Sequence, residues 1–231
     1  MKNQYSIAER NRIVEENLHR IDKTIRRNAQ LMLETINVKC YNVRQNNRRF
    51  RRNQMRRTVL FIAMSLDGYI ADQAGGVGWL EGQDHTAETA DFYGSFVRDV
   101  DTVVMGWNTY HQIVTQLSPS NWVYSNLKSY VITHRPLSSL DGIFFVNTEP
   151  DQLIKQLRQE PGKDIWICGG AKTVQPLLAG DWIDRFHISI IPTLLGTGIR
   201  LFEMLERERK LKLASVQESN GIVELIYERR A

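Results

Sequence analysis

From Thr58 onward the sequence predicts an α/β fold, a mostly parallel sheet with helices on both faces that closes in an antiparallel hairpin, preceded by a basic helical extension. Three observations carry this prediction. Short apolar runs alternate with stretches of helical periodicity, the pattern of strands joined by covering helices. The last two runs flank Ser219-Asn-Gly221, a hairpin turn signal. The chain also changes character near residue 57: the first glycine is Gly68, the first tryptophan Trp79 and the first proline Pro119.

Charge divides at the same place. Residues 1–57 hold 15 Lys and Arg against 5 Asp and Glu, whereas residues 58–231 hold 15 against 21. The overall formal charge of +4 therefore sums two unlike segments and says little about the partners of the larger one. That larger segment is long enough for one well-buried core.

The extension opens with Ser6-Ile-Ala-Glu9, spaced as a capping box. Val14, Leu18, Ile21, Ile25, Ala29, Met32 and Ile36 then recur in steps of three or four, which predicts one amphipathic helix over 6–36. Such a helix must pack on the main domain, pair with a second copy or stay partly unfolded. Beyond it, residues 44–57 contain seven arginines, a block too charged to pack. A nucleic-acid arm is one reading. The lack of an aromatic stacking series weighs against it and favours a solvated linker. A further reading makes Met55 a native start, with residues 1–54 an upstream or fused remnant, if Arg51-Arg52 is encoded by a ribosome-binding AGG AGG.

The main segment divides into elements in order. Strands are predicted over 58–64, 102–105, 129–133, 142–146, 164–168 and 185–192, helices over 87–98, 107–116, 151–159 and 173–179, and the closing hairpin over 211–218 and 222–229. Pro176 suits a first helical turn if Thr173 is the cap. Met105-Gly106, Thr133-His134-Arg135 and Gly169-Gly170 each stand just past a predicted strand's carboxyl end. In open α/β sheets ligands bind along that edge, so three segments should converge on one crevice. Gly169-Gly170 followed by Ala171-Lys172-Thr173 would bring backbone and helix N–H groups close to a phosphate. Asp67-Gly68 reads as a hairpin turn. The loop Gln73-Ala-Gly-Gly-Val-Gly-Trp79 has the flexible composition of a segment that closes over a ligand.

Several classes fall away. No apolar run approaches the roughly 18 residues that span a bilayer, and the basic start lacks the apolar stretch of a signal peptide. A cytoplasmic protein follows as the expectation. Cys40 and Cys168 have no metal-ligand spacing, and the five histidines form no zinc motif; no metal is expected. Tyr124-Ser-Asn-Leu-Lys128 mimics the dehydrogenase Tyr-x-x-x-Lys, without the glycine fingerprint that chemistry requires. No G-x-S-x-G supports an esterase.

Four ordered motifs carry a resemblance: Ser65-Leu-Asp-Gly-Tyr-Ile-Ala71, Val104-Met-Gly-Trp-Asn-Thr-Tyr110, Lys163-Asp-Ile-Trp-Ile-Cys-Gly-Gly-Ala171 and Ile191-Pro-Thr-Leu-Leu-Gly-Thr-Gly-Ile-Arg-Leu-Phe202. Over roughly residues 56–229 the chain resembles the dihydrofolate reductase superfamily. The branch it resembles contains the C-terminal reductase domain of the riboflavin-pathway deaminase/reductase and its stand-alone bacterial relatives. Asn11-Arg-Ile-Val-Glu-Glu-Asn-Leu-His-Arg-Ile-Asp22 resembles, over one helix, the core region of sigma-70-type factors.

The reductase resemblance implies a three-layer fold, a homodimer, and hydride transfer from NADPH, with NADH possible, to a small pteridine-like or ribosylaminopyrimidine-like substrate. By motif, Gly106, Trp107, Asn108 and Thr109 would line the cofactor's phosphates, Thr133, His134 and Arg135 its adenosine end, and Gly169, Gly170, Ala171, Lys172, Thr173 and Val174 its pyrophosphate. Ala63 and Ile70 would flank the nicotinamide. Trp79 and Phe92 fall on the substrate side, and Asp67 and Asp91 are the candidate catalytic carboxylates. Many relatives carry a basic residue where this chain has Trp107, which leaves Arg135 and Lys172 for the extra phosphate of NADPH. The zinc pattern of the deaminase half is absent, excluding a bifunctional enzyme. The alternative is a cofactor-binding protein whose basic N-terminal arm holds nucleic acid.

Overall fold

A computed structural model describes residues 55–87, 90–203 and 205–230. The helix over 6–36, the sigma-like stretch, Cys40 and the arginine run as far as residue 54 lie outside the described residues.

The run Thr58–Ser65 (β1) is buried on both faces at Val59 and Leu60, as a central parallel strand requires. Around it lies a sheet of six parallel strands: Ile143–Val146 (β5), Lys128–Ile132 (β4), Val100–Gly106 (β3), Asp164–Gly169 (β6), β1 and Arg185–Ile191 (β7), in that spatial order. Ile222–Arg229 (β10) runs antiparallel beside β7, and Leu211–Ser219 (β9) forms the edge. Asn220 and Gly221 both have positive φ (53° and 75°), the twist a two-residue hairpin needs.

Connectivity decides where the helices go. From β3 the chain steps outward through β4 to β5, then returns through β6 and crosses β1 to β7. Right-handed crossovers that reverse direction place their helices on opposite faces. Helices Phe92–Val97 (α1) and Trp107–Gln112 (α2) cover one face, packing Phe96, Tyr110 and Ile113 with Val103, Met105 and Trp166. Helices Pro150–Leu157 (α3) and Ala171–Ala179 (α4) cover the other, packing Ile154, Leu157, Val174 and Leu177 with Leu60, Ile165 and Ile167.

The structure corrects several expectations. The turn at Gly68 forms (Gly68 N–H to Ser65 C=O, 2.9 Å), yet no hairpin follows. Tyr69–Ala71 (β2) pairs instead with Ile199–Arg200 (β8) in a second, two-stranded sheet. The first helix begins at Phe92 rather than 87, because the Asp91 carboxylate accepts from Gly94 N–H (2.7 Å) and fixes the start there. Helix α2 continues through a π-helical turn at Ile113–Leu117. Helix α4 begins at Ala171 with Gly170 as cap, so Pro176 lies inside it and not in its first turn. Arg56 and Arg57, read as part of a solvated block, are built into the domain. Arg56 is 6% exposed and donates to Lys163 C=O (2.7 Å), Leu157 C=O (3.3 Å), Thr102 Oγ1 (2.6 Å) and the Asp101 carboxylate, while Arg57 pairs with Asp164 at 2.6 Å.

Candidate functional site

Strands β3 and β6 are neighbours, and the helices that follow them leave toward opposite faces. A crevice opens at such a switch point. Here it lies between the start of α2, at Gly106-Trp107, and the start of α4, at Gly170-Ala171. The two starts nearly touch. A β-carbon on Gly106 would stand 3.0 Å from Thr173 Oγ1, and one on Gly170 would stand 3.6 Å from Thr109 Oγ1. Gly169 has φ of +123°, and a β-carbon there would press within 3.2 Å of Ile62. The peptide bond between Gly169 and Gly170 is cis. Neither helix has a side-chain cap, so no cap side chain satisfies the first-turn amides of either. In α4 Thr173 and Val174 N–H already reach Gly170 C=O (2.9 and 3.2 Å), leaving those of Ala171 and Lys172.

The third segment enters from β4. Thr133 is buried and its hydroxyl accepts from Arg135 N–H (3.1 Å), while His134 Nδ1 meets Asn147 Oδ1 at 2.7 Å. The Arg135 guanidinium lies over the Trp107 ring, 4.7 Å from its centroid. The tryptophan thus holds a cation at the mouth of the crevice. Asn108 and Lys172 are exposed beside it, whereas Val174 is fully buried in the core.

The first and fourth motifs form one unit. The Asp67 carboxylate accepts from Ser65 Oγ (2.6 Å), Leu195 N–H (3.1 Å) and Gly196 N–H (2.7 Å). The Ser65 hydroxyl foremost, with those amides, holds its pKa below the usual carboxylate range. This geometry suits clamping two loops better than delivering a proton. Tyr69 adds its hydroxyl to Gly196 C=O (3.1 Å), under the Arg200 guanidinium. Ile70 packs toward the α3/α4 core, and Ala63 is half-buried near the end of β1.

Asp91 is exposed and occupied as the α1 cap, with half-buried Phe92 next to it. In the glycine loop Asp72 Oδ1 accepts from Ala74 and Gly76 N–H (2.8 and 2.7 Å), Trp79 Nε1 donates to Gly76 C=O (3.2 Å), and Gln112 Nε2 ties Gly75 C=O to α2 (2.8 Å). Tyr124, of the dehydrogenase-like motif, is walled in by Trp122 and Trp166. Burial drives its phenol pKa upward, the wrong direction for an acid–base tyrosine. Its hydroxyl meets Cys168 Sγ at 3.8 Å, and burial pushes that thiol up to about 11.

Sequence reasoning missed one polar group. Glu224 is 2% exposed; its Oε2 accepts from Ser189 Oγ (2.5 Å) and its Oε1 stands 3.6 Å from His187 Nδ1. The available signal was polar alternation: His187 and Ser189 between Phe186, Ile188 and Ile190, and a lone acid in Ile222-Val-Glu-Leu-Ile. A cavity of about 440 Å³ lies elsewhere, at the opposite end of the sheet between the end of α4 and the starts of β7 and β9. Its Arg207 and Arg209 are paired with Asp181.

Fold and crevice together define a three-layer α/β protein whose parallel sheet presents two helix N-termini at one switch point. The chain belongs to the RibD C-terminal domain family, whose profile matches residues 56–223. The Bacillus subtilis (strain 168) protein YwjB, described as uncharacterized, is 39% identical over 177 residues, 75% of this chain and 98% of its own. YyaP of the same organism, also described as uncharacterized, is 28% identical over 185 residues, covering 75% and 95%. A solved protein of Shewanella sp. PV-4, assigned provisionally to riboflavin biosynthesis, is 30% identical with a TM-score of 0.66, covering 76% of this chain and 99% of that one. A Thermotoga maritima deaminase/5-amino-6-(5-phosphoribosylamino)uracil reductase shares the fold at 16% identity, TM-score 0.57, over 76% of this chain and 57% of that one. Among the described residues no helix is long and apolar enough to cross a membrane and no acidic, histidine or cysteine cluster could hold a metal.

Proposed function

We propose that the chain is an NADPH-dependent reductase that transfers hydride to a small pteridine-like or ribosylaminopyrimidine-like substrate. The observation that carries this reading is the meeting of the α2 and α4 N-termini across Gly106 and Gly170, where a β-carbon on Gly106 would crowd Thr173 at 3.0 Å and one on Gly170 would come into contact with Thr109 at 3.6 Å. Two helix starts with free amides suit a pyrophosphate. When bound, the reduced nicotinamide supplies the hydride; the protein's part is to hold two rings in line and keep water out.

The amides of Trp107, Asn108, Ala171 and Lys172 would hold the phosphates. Arg135, pre-oriented on Trp107, supplies the charge that separates NADPH from NADH, in place of the basic residue of many relatives. Half-buried Ala63 offers a small floor for the nicotinamide, and the loop 72–79, tied to α2 through Gln112, covers the approach. The family and the reductase named among its structural neighbours support the same chemistry.

The test is to mix the purified protein with NADPH and either dihydrofolate or 5-amino-6-(5-phosphoribosylamino)uracil and follow the absorbance of the reduced nicotinamide. A substrate-dependent decrease is expected. A protein that binds neither NADPH nor NADH would refute the proposal.

A further inference from the structure

Beyond the crevice, the sheet continues into a polar row that no part of the proposed cofactor site uses. Register aligns Ala63 of β1 with Ser189 of β7, and Ser189 with Glu224 of β10. All three share the α1 face. Phe61, two residues before Ala63, packs with the α1 cluster, its ring is 6.0 Å from that of His187, and Ser189 follows His187 by two. With strands about 4.8 Å apart, Glu224 sits roughly 10 Å from Ala63, the span of a small heterocycle.

We propose that Glu224 is the substrate-binding carboxylate, taking the donor edge of a nitrogen heterocycle, an N–H beside an amino group, whose other end lies over Ala63. The inference rests on the reductase reading and names the group that recognises its substrate. The side chain of Glu224 is 3% exposed, and its Oε1 has no hydrogen-bond partner. A buried carboxylate oxygen left without a donor is costly, and a substrate N–H relieves that cost. Ser189 fixes the other oxygen at 2.5 Å. His187 stands 3.6 Å from Oε1, outside hydrogen-bond distance, beside the stacked rings of Phe61 and Phe96.

The approach this assignment requires runs past the hairpin turn three residues before Glu224. There Asn220 C=O accepts from Gln83 N–H (3.0 Å), Asn220 Oδ1 from Asp84 N–H (3.0 Å) and Ser219 Oγ from Ala90 N–H (2.8 Å). These bonds hold Gln83, Asp84 and Ala90 to the turn, and none of them belongs to the β9–β10 ladder.

The probe is 2,4-diaminopyrimidine, which offers a ring N–H beside an amino group once protonated. It is titrated into the NADPH-saturated full chain and into Glu224→Gln and Ser189→Ala, with NADPH affinity and thermal unfolding measured for each. The expected result has two parts: the wild-type protein binds the probe with the ultraviolet spectrum of its protonated form at a pH where the free compound is neutral, and Glu224→Gln weakens binding by about ten-fold or more while leaving NADPH affinity unchanged. If Glu224→Gln unfolds, Ser189→Ala, expected to weaken the probe several-fold, decides in its place, together with the wild-type spectrum. Absence of probe binding to the wild type, a neutral bound spectrum, or equal affinity in the variants overturns the assignment of Glu224. Failure of the wild type to bind NADPH is the separate result that overturns the reductase reading.

Discussion

In the proposed cofactor site, Arg135 stacked on Trp107 takes the place of the expected cation. Removing the guanidinium in Arg135→Ala should weaken NADPH by about ten-fold, the scale of a charge-assisted bond to phosphate, and leave NADH nearly unchanged. Trp107→Ala should reproduce part of that loss by freeing the arginine; fluorescence titration with both cofactors checks it, and equal losses for NADH would remove Arg135 from the specificity role. At the other end of the sheet, Arg56 is a buried cation with four acceptors around it. Arg56→Ala strands those acceptors and should cost about 3–5 kcal/mol in denaturant unfolding. In the sequence Arg56 was indistinguishable from the arginines before it, because only the position of Asp101, 45 residues on, marks it as structural.

The clamp between the 65–71 and 193–201 loops belongs to the element scale. Asp67 has a lowered pKa, so its stabilising effect is complete at neutral pH and lost as acid takes the carboxylate through that lowered value. Asp67→Asn should therefore loosen these loops at neutral pH, seen as faster amide exchange at Leu195 and Gly196, and the difference from wild type should vanish below the usual carboxylate range. A difference that persists in acid would contradict the clamp. Elements with strong periodicity were legible in the sequence: the six parallel strands, the four covering helices and the closing hairpin all occur near their predicted places. The β2/β8 pair was not, because its partners are separated by more than a hundred residues and Asp67-Gly68 is locally a hairpin signal. The starts of α1 and α4 shifted because caps decided them, Asp91 by its side chain and Gly170 by an extended backbone.

At the scale of the molecule, the convergence of the strand ends was legible and the buried polar row across β7 and β10 was not. Gly106, Thr133-His134-Arg135 and Gly169-Gly170 announce themselves as special residues at strand ends, and the sheet order brings β4, β3 and β6 side by side. Glu224, Ser189 and His187 come from strands whose pairing only the fold reveals. Gly170→Val should leave the protein folded but reduce cofactor affinity by about ten-fold or more, since its side chain would fill the gap toward Thr109 where phosphate is to lie. The central claim is that these two helix starts bind a reduced nicotinamide dinucleotide. It is tested most directly by titrating the purified full chain with NADPH and following tryptophan fluorescence, to which Trp107 at the mouth of the crevice contributes. The account predicts saturable one-site quenching that Gly170→Val abolishes or greatly weakens; no saturable response to either NADPH or NADH, or an unchanged response in Gly170→Val, would contradict it.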